Sequence, residues 1–352
     1  MTHARVLALA CSLAIASAVS APSWAHDAVP VRAEPFPGTI RLAVDATDLA
    51  HRVFKVREEI PVQPGLLRLY YPQWLPGNHG PRGPVELVAG LRFSAGGQSL
   101  PWRRDPLDVY SFLVEVPAGA DTLLAEFDYL TPMDSAQGRV VVTPEMLGVQ
   151  WNAVLLYPAG YDAGRITVEA SLEIPNHWRL GTALDVRSSS VSGNAVNFKP
   201  TTLERLMDSP VLAGKHFQRF PLDEGARPVY IEAAADKAKE LEAKPEILVK
   251  HRVLVAQADK LFGARHFDSF HFLTSISSRY SGIGLEHLES TEVGVDPGYL
   301  TDPKATGDRD LFAHEYVHSW NGKFRRGADL ATPHFNPPLQ DSLLWVYVGQ
   351  TQ

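Results

Sequence analysis

The sequence predicts an α+β protein: an N-terminal antiparallel β-sandwich-like domain over residues 26–222, then a domain of mixed strands and helices over residues 223–352. Three observations carry this. Residues 165–174, RITVEASLEI, alternate strictly. Ile166, Val168, Ala170, Leu172 and Ile174 share one face, and Thr167, Glu169, Ser171 and Glu173 the other, as in a half-buried antiparallel strand. Near residue 223 the apolar spacing changes towards the period of a helix, about 3.6 residues. Residues 311–322, LFAHEYVHSWNG, then place two histidines four apart with a glutamate directly after the first. The length of 352 residues, 45% of them hydrophobic and 21% charged, suits about two ordinary globular domains. The net charge of −7 is mild, and Lys and Arg are spread along the chain, so no nucleic-acid footprint is present.

Residues 1–25 read as a secretory signal peptide. Arg5 precedes an apolar run from Val6 to about Val19, and Ser23 and Ala25 form a small-x-small cleavage site before His26. The run is short for a bilayer span, so no integral membrane segment is expected after cleavage. Cys11 is the only cysteine. The mature chain then lacks disulfides, which suits a bacterial periplasm, and any metal site must use His, Asp and Glu.

The β-domain shows the same alternation at Tyr110, Phe112, Val114 and Val116, and at Leu123, Ala125, Phe127 and Tyr129. Turns at 117–119 and 95–97 separate these runs. Beyond residue 223 one more strand precedes a helix. Pro245 suits its first turn, Ile247, Leu254, Ala258 and Leu261 give its apolar stripe, and Gly263 suits its end. Residues 267–276 read as a strand and residues 282–291 as an edge strand. The H-E-x-x-H helix follows a loop, with Asp308 or Asp310 as its cap and Gly322 closing it. Residues 341–352 read as a helix from about Ser342 that is still running at the last residue, so a truncated chain is expected.

The chemistry follows from residue type and spacing. A helix stacks positions i and i+4 on one face, so His314 and His318 can hold one zinc ion through neutral imidazoles. Zinc lowers the pKa of a bound water, and Glu315 can take its proton. A catalytic zinc needs three protein ligands, and the motif supplies two. Glu286, in the strand just upstream, could hold the α-amine of a peptide; the alternative is an exposed strand carboxylate. His287 reads as structural. Residues 70–84, YYPQWLPGNHGPRGP, form a rigid turn, in which Tyr70 and Trp74 serve either as a sugar or peptide platform or as core packing at a domain corner.

Together these clusters resemble the glycyl aminopeptidase family, PDZ-containing zinc metallopeptidases of the thermolysin-like group. Trp74, Pro76 and Gly77 match its W-x-P-G turn. Gly284-Leu285-Glu286-His287 is similar to its glycine-led E-H strand, and Ser319, Trp320 and Asn321 match the S-W-N after its H-E-x-x-H. The resemblance implies that residues 223–352 are the first part of a thermolysin-like catalytic domain. It also implies a glycine-preferring zinc aminopeptidase acting on peptides. His314 and His318 would be metal ligands, Glu315 the base and Glu286 the amine anchor. The third ligand would be a glutamate in a segment L-L-W-x-x-E-G-x-T. Leu343, Leu344, Trp345, Gly349 and Thr351 match that segment, but Val348 stands where the glutamate belongs, and valine has no donor atom. Nothing in the sequence argues for Asp341 or Glu289 as a substitute. The remaining helical subdomain, the PDZ domain and a tyrosine for the oxyanion would lie beyond Gln352. Three readings stay open: an active exported aminopeptidase, an inactive or truncated relative, and a β-domain that serves as a binding module.

Overall fold

The computed structural model describes residues 29–189, 194–305 and 307–351; the expected signal peptide lies outside them. The architecture is α+β, mostly sheet with few helices.

Strands β1 (Thr39–Asp48), β2 (Val53–Pro61), β3 (Thr122–Leu130) and β4 (Thr167–Glu173) form the middle of a nine-stranded sheet among the described residues. Each buries every second side chain, as the alternation requires: Ile166, Val168, Ala170, Leu172 and Ile174 are all buried. One expectation is corrected. β4 is antiparallel to Ala195–Phe198 but parallel to β1, with Thr39 opposite Thr167. Alternation reports a buried face and is blind to the direction of the neighbouring strand. A four-stranded sheet holding Gly65–Tyr70 and Ser111–Val116 contributes to the same core. Tyr110 falls just outside its strand.

The second core is smaller. Strands β5 (Phe217–Asp223), β6 (Val229–Ala235), β7 (Phe270–Ile276), β8 (Gly284–Glu286) and β9 (Ser290–Val295) form a sheet in the order β5-β6-β7-β9-β8. β6, β7 and β9 are parallel, and β8 lies at the edge, antiparallel to β9.

A short helix α1 (Leu203–Met207) belongs to the first core. Helix α2 (Pro245–Phe262) carries the chain from β6 to β7. Pro245 occupies its first turn and Gly263 closes it at φ 74°, a left-handed conformation that costs glycine little. The buried stripe is Ile247, His251, Val255 and Ala258, whereas Leu261 is 70% exposed. The expected stripe was shifted because His251 counts as polar. Its ring is nonetheless buried, with Nδ1 2.9 Å from the Ile247 carbonyl and Nε2 2.9 Å from Tyr299 Oη.

Helix α3 (Arg309–His318) carries the H-E-x-x-H residues. Asp308 holds the cap position with a left-handed backbone, φ 60°, and no capping hydrogen bond, so neither aspartate caps the helix as expected. Gly322, φ 116°, lies four residues beyond the helix end rather than closing it. Helix α4 (Leu344–Tyr347) is a single turn, shorter than the apolar run suggested, because the chain turns again over residues 348–351. No described helix is long and apolar enough to cross a membrane.

Candidate functional site

Helix α3 presents His314 and His318 on one face, their rings 4.6 Å apart and their Nε2 atoms separated by 3.1 Å. His318 Nδ1 lies 3.0 Å from the Asn321 carbonyl. Donating there leaves the Nε2 lone pair available. Burial holds His318 below its usual pKa, favouring the neutral ring that binds a metal.

Two nitrogens bound tetrahedrally to one zinc stand about 3.3 Å apart, given bonds of about 2.0–2.1 Å. The pair therefore fits a shared ion. A third donor does not join it: among the described residues no group of three His, Cys, Asp or Glu side chains could hold a metal. Val348 ends α4 with a hydrocarbon side chain. Glu289 is held 2.9 Å from Arg205. Asp341 Oδ1 is buried without a hydrogen-bond partner and is no part of such a group. The histidine pair fits zinc; the ligand set is incomplete.

Glu315 is buried, and its Oε2 has no hydrogen-bond partner among the described residues. Burial, and then the nearby Glu286 carboxylate, push its pKa up to about 8. Gly284 explains how the carboxylate fits, because a methyl group there would overlap Glu315 Oε1.

Glu286, two residues further along the edge strand, is only 5% exposed, not the exposed strand carboxylate of the alternative reading. Its Oε1 accepts a hydrogen bond from Tyr347 Oη at 2.5 Å, and His79 Nε2 stands 3.8 Å away. Burial alone would raise its pKa; the Lys323 ammonium and the Tyr347 hydroxyl outweigh that and hold it below the ordinary value. Gly77, in the turn of the N-terminal domain, leaves the necessary space, since a Cβ there would lie 3.0 Å from Glu286 Oε2.

His287 points the other way, into a chain of buried charges. Its Nδ1 is 3.1 Å from Asp208 Oδ1 and its Nε2 3.4 Å from Glu292 Oε2. Lys323 Nζ lies 2.6 Å from Asp208, and Arg139 2.9 Å from Glu292. Burial would lower the His287 pKa, but the two carboxylates push it up to about 9.

Tyr70 is core packing, buried and stacked on His334 with centroids 5.5 Å apart. Trp74 is half-buried and borders a cavity of about 330 Å³ that Tyr347, His79 and Lys323 also line. Asn321 docks the segment that bears Val348: its Nδ2 donates to the Val346 carbonyl at 3.0 Å and to Thr351 Oγ1 at 3.2 Å.

The structure thus brings Glu286, His314, Glu315 and His318 into one site. It adds three residues that sequence reasoning missed, His79, Tyr347 and Lys323. Tyr347 stands next to Val348 in the sequence, which was a signal of position though not of role.

Residues 41–215 match the model of the peptidase M61 N-terminal domain, and residues 308–352 match that of the M61 glycyl aminopeptidase. Together the two matches cover well over half of the chain. A crystal structure of an aminopeptidase N family protein from Idiomarina loihiensis is similar, with a TM-score of 0.74 and 20% identity. The similarity covers 89% of this chain and 53% of that one, so the chain spans about half the length of that relative. No curated protein matches.

Proposed function

The chain belongs to the M61 glycyl aminopeptidase family, and from that premise we propose that it is built as an exported zinc aminopeptidase that removes the first residue of peptides, preferring glycine. The observation that supports this reading best is the pair of imidazole nitrogens 3.1 Å apart beside a buried carboxylate oxygen with no partner. His314 and His318 would hold the zinc, which when bound supplies Lewis-acid activation of a water. Glu315 serves as the base. Its buried Oε2, free of any hydrogen-bond partner among the described residues, suits a group that takes a proton from the attacking water and delivers it to the leaving nitrogen. Glu286 stays ionised through Lys323 and Tyr347 and anchors the substrate's ammonium. The signal-like N-terminus supports export, with a bacterial periplasm as the destination.

A second reading, an inactive relative, is favoured by one specific observation: no third ligand converges on the histidines among the described residues. One experiment separates the two. Zinc content is measured on the purified chain beginning at His26, together with Val348→Glu and His314→Ala, and each is assayed on a glycine-headed chromogenic amide. Zinc well below one per chain, rising towards one with hydrolysis in Val348→Glu, would support the aminopeptidase architecture and place the defect at position 348. Near-stoichiometric zinc in the unaltered chain that is lost in His314→Ala would mean that another residue completes the site. Zinc content indifferent to His314→Ala would sink the reading.

A further inference from the structure

We propose that His79, reaching in from the N-terminal domain, and Tyr347 form a fixed wall beside Glu286 that admits a substrate whose first residue has no side chain or only a methyl group and excludes larger ones. The inference rests on the aminopeptidase reading and adds a structural basis for selectivity.

Four observations lead to it. First, Glu286 is enclosed on three sides. Gly77 lies against Oε2, while Tyr347 Oη and His79 Nε2 face Oε1 at 2.5 and 3.8 Å. A carboxylate oxygen accepts more than one hydrogen bond, so an ammonium can share Oε1 with the phenol. The Cα that carries the ammonium then lies close to both rings. Second, those rings brace each other. His79 meets Tyr347 edge-on, with centroids 4.8 Å apart at 83°, and Tyr347 rests on His318 at 4.9 Å. Third, Tyr347 has a fitted seat. Any Cβ at Gly322 would overlap its ring, so position 322 must lack one for the phenol to stand where it does. Fourth, His79 holds a left-handed backbone, φ 48°, in the turn between the strand pair Trp74–Leu75 and Gly80–Pro81. Few side chains adopt that conformation, and where one does, the surrounding structure holds it there. Here the pair is tied down by the Trp74 N–H donating to the Phe335 carbonyl at 2.7 Å. The wall is thus assembled from elements far apart in sequence and has little freedom to move aside.

The test is direct binding, independent of turnover. Calorimetric titration of the zinc-supplemented chain would use Gly-Ala-Phe, Ala-Ala-Phe and Leu-Ala-Phe, with N-acetyl-Gly-Ala-Phe to isolate the part that depends on the amine. The unaltered chain is expected to bind the glycine- and alanine-headed peptides at least about tenfold more tightly than the leucine-headed one. His79→Gly relaxes the backbone at φ 48°, so it is expected to fold, which its thermal midpoint would verify. It should bring the leucine-headed peptide to within about threefold of the glycine-headed one. Tyr347→Ala should act in the same direction, and either variant alone supports the wall. Amine-dependent binding without size preference in the unaltered chain would overturn the wall and leave the aminopeptidase reading standing. So would a preference that both variants leave intact. Absence of any amine-dependent binding would overturn that reading and the wall with it.

Discussion

Glu58 is a carboxyl group inside a hydrocarbon core, 1% exposed, with the Leu156 N–H donating to its Oε2 at 3.0 Å. Burial raises its pKa to about 8, against which that single hydrogen bond acts weakly. Below the ordinary value of 4.5 the group is protonated in both folded and unfolded chains and has no effect on stability. As pH rises from there towards 8, the unfolded chain ionises first, and stability is lost. His287 acts in the same direction. Its contribution is complete below 6.5 and is lost as pH rises towards about 9. Glu58→Gln should therefore stabilise the chain by about 2–4 kcal/mol at pH 8.5 and leave it nearly unchanged at pH 4.5, as read from urea unfolding at both values. A second substitution addresses the site. Gly284→Ala places a methyl group onto Glu315 Oε1 and should displace that carboxylate. In a Val348→Glu background, hydrolysis is expected to fall about 100-fold, with a thermal midpoint that shows the fold retained. At this scale the sequence revealed the residues that sit in a short motif, His314, Glu315 and His318. His79 and Tyr347 carry no such spacing, and only the fold places them against Glu286.

Helix α4 is a single turn, too short to persist alone in water. It stays in place through Asn321, whose side-chain amide reaches the Val346 carbonyl and Thr351 Oγ1. Asn321→Ala should cost about 1–2 kcal/mol and release residues 343–351 first. Hydrogen exchange that speeds up there before anywhere else would bear this out, and uniform protection would count against it. The same helix shows where reading elements from sequence stops. The apolar text from Leu343 onwards continues past Tyr347, so a longer helix was expected, yet the backbone turns at residues 348–351. Helix α2 was easier, since Pro245 and Gly263 mark its ends through backbone geometry that needs no tertiary partner. Its stripe was misjudged because a buried histidine takes an apolar position, and Leu261, expected in the stripe, is exposed. For β4, one side of the strand was legible from alternation, but the direction of its partner β1 was not.

Across the whole molecule, Arg139, Gln150 and Asp208, all before residue 222, meet Glu292, His287 and Lys323, all after it, in one buried network. Removing one member leaves a charge without compensation. Arg139→Met should destabilise the chain by about 3–5 kcal/mol, and adding Glu292→Met should recover part of that loss in equilibrium unfolding. The fold class was readable because each of these two parts keeps its own period. How the parts meet was not, because charged pairs distant along the chain leave no periodic trace. The parallel pairing of β1 with β4 reaches beyond the static picture. Thr39 cannot meet Thr167 until the whole intervening stretch has been synthesised. At about 5–20 residues per second on the ribosome, the first sheet waits about 6–25 seconds for its central partner. Folding dominated by such distant pairings is slow, on a scale of milliseconds to seconds. During that interval β1 keeps one edge unpaired, able to capture a strand from another nascent copy.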